Sequence, residues 1–177
     1  MRMNDIHDVD DFNHPLHSSF WRNHPECWVV PGVGDLKNST GCWRSLDYAR
    51  KPVYDYHLAF VKELIDRYGD AEGIELDWLR GVYCLTRGKQ KDLYPVLTRF
   101  MRDVRAYANA AGEKRGRNIR VAARVPSDPD AAASYGFRAV EWAKEGLVDL
   151  LIPCNHYGCS DFLLPYRDWC ERLTAVN

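Results

Sequence analysis

The 177-residue sequence has almost no net charge and no long apolar run. Lys and Arg number 24 against 25 Asp and Glu, for a formal net charge of −1, which argues against a basic nucleic-acid surface and against a polyanion-binding tail. No stretch approaches the roughly 18 consecutive apolar residues that a membrane span needs, and residues 1–20 are acidic, His-rich and polar. We therefore expect no nucleic-acid partner, no membrane contact and no export signal within these residues. An upstream signal would lie outside them, so the compartment stays unknown.

Two kinds of motif are also missing. The cysteines include no CxxC pair, and a chain of this length can build its core without disulfides, so we expect mostly reduced thiols. No GxGxxG or GxxxxGKS/T turn follows a predicted strand, which excludes the phosphate cradle of many doubly wound folds. We predict no cofactor. The six cysteines are Cys27, Cys42, Cys84, Cys154, Cys159 and Cys170.

Aromatic side chains, in contrast, are abundant. Six Trp and ten Tyr contribute to an aromatic share of 12%, within a hydrophobic share of 46% that is ordinary for a soluble globular chain. Rings in this number either fill a core or line a site that stacks flat ligands, as sugar-binding clefts do. Length and composition together predict a single domain over residues 1–177.

From residue 52 onward, helix-like and strand-like segments alternate. Such alternation indicates βαβ units and a parallel sheet, because a crossover helix links each parallel strand to the next. The last predicted strand is apolar almost throughout, which is typical of a strand buried on both faces. The predicted strands are 73–78, 119–125 and 148–153, and the predicted helices are 52–68, 93–111, 129–145 (interrupted at Gly136) and 165–173.

We predict an α/β fold, specifically a partial (β/α)8 barrel of the TIM type with about four βα units and parallel strands. The missing phosphate cradle favours a barrel over a doubly wound sheet, and a small self-contained α/β layer is the alternative. A complete barrel takes about 250 residues. Three strands are evident here, and residues 2–5 would end a fourth. We therefore expect a central portion of a longer protein, in which missing strands or self-association complete the barrel.

Two carboxylates lie near the end of the first predicted strand. Alternate residues of a strand face the same side, so Glu75 and Asp77 project together and away from Leu76 and Trp78. Active sites of barrels form at the carboxyl ends of the strands. Glycoside hydrolysis needs one carboxyl to protonate the leaving oxygen and another to attack or to activate water, about 5 to 9.5 Å apart depending on stereochemistry. In the alternative interpretation, Glu75 pairs with an arginine inside the barrel and only Asp77 meets a ligand.

The opening segment offers further polar groups. Arg2, Asn4 and Asp5 stand where another strand would end, and more Asp and His residues follow as far as His17. This cluster invites a metal interpretation, but it has neither HxxxH nor CxxC spacing. We predict no metal, and we favour solvated loop polarity or contacts to sugar hydroxyls.

A long connection, at about residues 8–50, precedes the first predicted helix. It contains Trp21, Trp28 and Trp43, and loops of this length in a compact domain are usually functional or disordered. Its tryptophans argue against disorder. We interpret the connection as an excursion over the strand ends that binds substrate; the alternative is that its rings only pack it against the barrel.

Polar groups also end the second and third predicted strands. Arg124 closes the second, and Asn155 and His156 follow the third. In a parallel sheet these ends meet at one edge, where Arg124 would hold a carboxylate in its charged form and His156 would act as acid, base or hydrogen-bond donor. A nucleophile made of Cys154 and His156 is disfavoured because no third group orients it.

Six segments carry a family resemblance: MRMNDIH (1–7), FWRNHPE (20–26), LDYAR (46–50), GIELDW (73–78), ARVP (123–126) and EGLVDLLIP (145–153). Together they resemble bacterial glycosyl-hydrolase-like (family-10-like) TIM-barrel proteins, from residue 1 to about residue 169. The resemblance implies a barrel that acts on carbohydrate, with Asp77 in the position of an active-site carboxylate. It also implies that residues 2–5 end an internal strand, so that strands before and after this chain are missing.

These features together predict a glycoside hydrolase with paired carboxylates at the strand ends. Asp77 would be the nucleophile or base and Glu75 the acid or second carboxylate, with Asp5 as an alternative partner. The alternatives are a noncatalytic carbohydrate-binding or degenerate barrel, and a metal-dependent hydrolase built on the cluster from His7 to His17. The residues expected to position sugar hydroxyls are Arg2, Asn4, His7, Trp78, Arg124, Asn155 and His156.

Overall fold

The computed structural model describes residues 1–3, 11–30, 44–155 and 163–175. Its elements are α1 (Ser19–Asn23), a 3-10 helix (Pro25–Cys27), α2 (Lys51–Arg67), β1 (Gly73–Asp77), α3 (Gln90–Arg115), β2 (Arg120–Pro126), α4 (Pro129–Ser134), α5 (Ala139–Lys144), β3 (Leu150–Cys154) and α6 (Tyr166–Thr174). From α2 onward, helices alternate with parallel strands, which confirms the predicted α/β class.

The three strands form one parallel sheet in the order β1-β2-β3. Asp77 of β1 lies opposite Arg124 of β2, which in turn lies opposite Ile152 of β3. The start of the chain runs parallel to β1: the Met3 N–H donates to the Asp77 carbonyl at 3.0 Å, and the Asp77 N–H donates to the Met1 carbonyl at 2.7 Å. Sheet order thus follows chain order without reversal.

The two faces of the sheet have different surroundings. Leu76, Val121 and Val125 are fully buried and belong to a hydrophobic core that the sheet shares with α2 and α3. Successive right-handed crossovers place their helices on one side of a sheet, which explains why one set of alternating residues is buried. On the other face, Glu75 is exposed and Leu150 is 56% exposed. The prediction that the third strand is buried on both faces is therefore wrong for β3, because no described element covers this face.

The predicted interruption of the third helical stretch is confirmed at Gly136. The Asp128 side chain caps α4 by accepting a hydrogen bond from the Ala131 N–H. Gly136 then adopts a φ of 94° before α5 begins. A Cβ at this position would be strained by the positive φ and would lie 2.7 Å from Leu85 Cδ1, so the buried Leu85 side chain would also have to shift.

The long connection before α2 contains α1, the 3-10 helix and an isolated bridge between Trp28 and Leu46. Trp21 and Trp28 are buried and stack at 4.7 Å, and the Trp21 Nε1–H donates to the Arg44 carbonyl at 2.7 Å. These two rings pack the connection into the core instead of presenting their faces to a ligand, which corrects the substrate-binding interpretation for both of them. Trp43 lies outside the described residues.

Two further observations concern the thiols and the helices. No disulfide joins the four cysteines that the structure describes, which are Cys27, Cys84, Cys154 and Cys170. Cys42 and Cys159 lie outside the described residues. Within the described part of the chain, no helix combines the length and the apolar character needed to cross a membrane.

Candidate functional site

The candidate site lies at the carboxyl edge of the sheet, where the three strands end. Asp77 is the last residue of β1, Arg124 lies opposite it on β2, and Cys154 ends β3. Arg124 Nη1 donates to Asp77 Oδ2 at 3.3 Å, and Arg124 Nη2 donates to Cys154 Sγ at 3.3 Å. The guanidinium therefore links the outer two strands through their side chains. The predicted meeting of polar groups at this edge is confirmed for Asp77 and Arg124.

Asp77 is held in one orientation by contacts to both of its oxygens. Besides the Arg124 contact to Oδ2, Oδ1 accepts hydrogen bonds from the backbone N–H groups of Leu79 at 3.2 Å and Arg80 at 3.3 Å. These bonds form the turn that follows β1, a conformation that Asp favours. Asp77 is only 9% exposed. Its negative charge is thus solvated mainly by the protein, through one cation and two amide dipoles.

Glu75 lies on the same face as Asp77, two residues earlier on β1, and is exposed. In the described part of the chain no cation pairs with its carboxylate, whereas Arg124 pairs with Asp77. The alternative in which an arginine inside the barrel holds Glu75 is therefore wrong for the described residues. The arginine on the neighbouring strand holds Asp77 instead, because parallel register sets these two residues opposite each other.

Arg124 supplies a permanent positive charge to this edge. Its hydrogen bond to Cys154 raises the pKa of Arg124 above its usual range; burial opposes this shift, and the charge of Asp77 adds a smaller upward effect. Because the guanidinium of an arginine keeps its proton throughout the physiological range in any case, the shift does not change its charge.

Trp78 does not belong to the site. Its side chain is fully buried, with its ring centroid 5.4 Å from that of Tyr48, 5.6 Å from that of Phe137 and 6.0 Å from that of Trp142. The prediction that Trp78 contacts a sugar is therefore wrong. Strand alternation gives the reason, because Trp78 continues the side of Leu76, which faces the helices and not the open face.

The remaining predicted residues are only partly described. Arg2 is exposed, and its backbone forms a parallel bridge with Asp77. Asn155 follows β3 and is half-buried. His17 is buried and stacks on Trp21 at 4.1 Å, so this member of the His7 to His17 cluster serves packing. Asn4, Asp5, His7 and His156 lie outside the described residues.

Two further polar contacts, one at this edge and one before α2, are not predicted from the sequence. The Cys154 thiol accepts a hydrogen bond from Arg124, a contact that depends on a two-residue offset between β2 and β3. Asp47 is fully buried: its Oδ1 accepts the Ala49 N–H at 2.9 Å and its Oδ2 accepts the Thr86 hydroxyl at 2.5 Å. The LDYA pattern that precedes α2 marks Asp47 as a turn residue, but no local signal points to Thr86.

Comparison with known proteins adds no identification. The sequence matches no model of a known protein family and has no significant similarity to a curated protein. The class that fold and site define is an α/β protein with a charged cluster at the carboxyl edge of a parallel sheet.

Proposed function

We propose that this α/β unit belongs to a (β/α)8-type barrel related to glycoside hydrolases, and that the carboxyl edge of its sheet binds carbohydrate. Two observations support a barrel: the strands follow one another in sheet order without reversal, and the described helices cover one face of the sheet. A doubly wound sheet reverses its order and carries helices on both faces, whereas a barrel turns one face inward. The inward face would carry Glu75, Asp77 and Arg124.

The observation that carries the function is the pair formed by Asp77 and Arg124 at the strand ends, where active sites of barrels form. A charged, oriented carboxylate suits a nucleophile or a general base, and it also suits an acceptor for sugar hydroxyls. Glu75 shares the face and is exposed, which suits the acid or second carboxylate. Residues two apart on a strand have Cα atoms about 6.6 Å apart, close to the carboxyl separation of about 6.5 to 9.5 Å in inverting glycosidases.

Carbohydrate binding without turnover is the second candidate function, and the contacts of Asp77 favour it. Both oxygens of Asp77 already accept hydrogen bonds, from Arg124 and from the amides of Leu79 and Arg80. An attack on a sugar carbon by Oδ1 would give up one of its two amide bonds, and an attack by Oδ2 would weaken its bond to Arg124, because the carboxylate loses its negative charge when the ester forms. A binding site needs no such loss, because Oδ2, which accepts only from Arg124, retains a second lone pair for a sugar hydroxyl.

The test measures turnover and binding on the same purified protein. The 177-residue chain is first checked for a cooperative melt by circular dichroism and for its mass in solution, since the proposed barrel needs further strands or a second copy. Hydrolysis is then measured as reducing-sugar release from a panel of aryl glycosides and polysaccharides. Asp77→Asn should lower kcat at least ~100-fold, and Glu75→Gln should remove one limb of the bell-shaped pH profile of the rate.

Glu113→Gln on α3 is the matched control, because it makes the same change at an exposed carboxylate outside the site. It should leave kcat unchanged. Hydrolysis that survives in Asp77→Asn would remove the central assignment. Glycan affinity without turnover, weakened in Asp77→Asn, would establish the second candidate. A cooperatively folded chain with neither turnover nor affinity for any glycan of the panel would refute both.

A further inference from the structure

A second cluster of functional side chains lies on the turn between α1 and the bridge at Trp28. His24, Glu26 and Cys27 each offer a metal-ligating atom here, and these atoms all lie within 4.8 Å of one another. Within residues 1–3, 11–30, 44–155 and 163–175, no other group of three His, Cys, Asp or Glu side chains is this close. We propose that His24, Glu26 and Cys27 bind a zinc ion.

The distances between the ligand atoms are close to those of a zinc site. His24 Nδ1 lies 2.9 Å from Glu26 Oε1, and Cys27 Sγ lies 3.8 Å from the same oxygen. Tetrahedral zinc, with Zn–N and Zn–O bonds of about 2.1 Å and Zn–S bonds of about 2.3 Å, sets its ligand atoms about 3.4 to 3.6 Å apart. Side-chain movements of about 1 Å therefore bring all three atoms to this spacing.

The backbone fixes one ligand and leaves the other two adjustable. The Cys27 N–H donates to the His24 carbonyl at 2.9 Å, and the Asp47 N–H donates to the Cys27 carbonyl at 2.8 Å. Cys27 is buried, whereas the side chains of His24 and Glu26 are 39% and 65% exposed. The His24 ring also packs against Phe20, with centroids 4.5 Å apart. A fixed thiol with two partly exposed neighbours allows the ligands to close on an ion without unfolding the turn.

The mixture of donor atoms selects zinc among the common cations. Magnesium and calcium prefer oxygen ligands, whereas imidazole nitrogen together with thiolate sulfur suits zinc. Three protein ligands leave a fourth position for water, as in open zinc sites. The local spacing His-x-Glu-Cys differs from the HxxxH and CxxC patterns, because the 3-10 turn, and not an α-helix, brings the three side chains together.

The test is a titration of the protein with Co²⁺, followed by displacement with Zn²⁺. A cobalt ion bound to a thiolate gives a charge-transfer absorption in the near ultraviolet, so the wild-type protein should develop this band and lose it on addition of Zn²⁺. Cys27→Ser should abolish the band. His24→Ala and Glu26→Gln should each weaken Zn²⁺ affinity at least about tenfold, measured by competition with a chromophoric chelator.

Cys170→Ser is the matched thiol control and should keep both the band and the affinity. If Cys27→Ser loses its cooperative melt, His24→Ala and Glu26→Gln decide the question, because neither side chain is buried. A wild-type protein without the band, a band that survives in a folded Cys27→Ser variant, or unchanged Zn²⁺ affinity in both other variants would overturn the proposal. None of these readouts involves hydrolysis, so they are independent of the carbohydrate function.

Discussion

On the helix-covered face of the sheet Leu76, Val121 and Val125 are fully buried, whereas on the open face Glu75 and Leu150 are exposed, although these residues alternate along the same strands. The covered face makes the contacts of the hydrophobic core. The open face carries the charged edge with Asp77. One set of side chains on these three strands therefore forms the hydrophobic core. The other set includes the charged side chains of the candidate site.

This separation has an energetic consequence. Burial of apolar side chains contributes about 25 cal/mol for each Å² removed from water, so stability resides chiefly on the covered face. Exposed or half-exposed ion pairs contribute little, commonly about 0 to 1 kcal/mol. The pair of Asp77 with Arg124, whose side chains are 12% and 34% exposed, lies between the core and the exposed ion pairs. Substitutions at exposed positions of the open face, such as Glu75, should accordingly change function more than stability.

The largest expected effect is on the covered side. Trp78→Ala should lower the free energy of unfolding by about 3 to 5 kcal/mol, because it removes a fully buried ring from a cluster with Tyr48, Phe100 and Trp142. The measurement is urea unfolding followed by circular dichroism. A loss below about 1 kcal/mol would contradict the assignment of Trp78 to the core.

Trp78→Phe sharpens the same test. The Trp78 Nε1–H is buried and has no hydrogen-bond partner among the described residues, and an unsatisfied buried donor costs about 1 to 3 kcal/mol. The phenylalanine variant loses ring volume but removes this donor, so we expect it to lose much less stability than Trp78→Ala. Equal losses in the two variants would show that the N–H has a partner in solution.

Most of the helices and strands that form the covered face can be predicted from the local sequence. Helix α2 begins next to Pro52 and ends before Gly69, and α4 and α5 separate at Gly136, as the residue types predict. The strands follow from short apolar runs, and parallel pairing follows from their alternation with helices. These features depend on neighbours along the chain, which is why a single sequence is enough to predict them.

The errors concern side chains whose surroundings come from distant segments. Trp78 is next to a carboxylate in sequence, but the helices that bury it are contributed by later residues. Trp21 and Trp28 stack on each other because the connection folds back on itself. The contact between Arg124 and Cys154 depends on how β3 is aligned against β2, and the types of the residues in β3 do not determine that alignment. The open face of β3 has no described cover, and its apolar sequence alone cannot indicate this.

A second prediction, with an effect of intermediate size, concerns a titratable group on the covered side. His57 of α2 is buried, stacks on Tyr48 at 4.7 Å, and has its Nδ1 3.0 Å from the Val53 carbonyl. Burial lowers the pKa of His57 from 6.5 to about 4, against a smaller opposing effect of the Val53 hydrogen bond. As pH falls from about 6.5 through about 4, the unfolded chain takes up a proton that the folded chain resists. His57 should therefore lower the free energy of unfolding by up to about 3 kcal/mol as the solution becomes acidic.

His57→Gln isolates this contribution, because the amide can still donate to the Val53 carbonyl but does not titrate. Urea midpoints are compared at pH 7.5 and at pH 4.5 for both proteins. Carboxylates destabilise both proteins alike in acid, so the difference between their pH dependences reports His57. Wild-type protein should lose about 2 to 3 kcal/mol more than the variant over this interval. Parallel pH profiles would mean that His57 is solvated in the folded state.

The smallest effect is expected on the open face, at Leu150. Its side chain is 56% exposed in a single chain, and surface substitutions usually change stability by no more than about 0.5 kcal/mol, so Leu150→Ser should leave the urea midpoint of the monomeric protein almost unchanged. A loss of about 2 kcal/mol or more, together with a solution mass that falls from an oligomer to one chain, would mean that another surface covers this face. Both faces of the sheet would then be buried. Completion of the barrel by a second copy would become the explanation for the apolar sequence of β3.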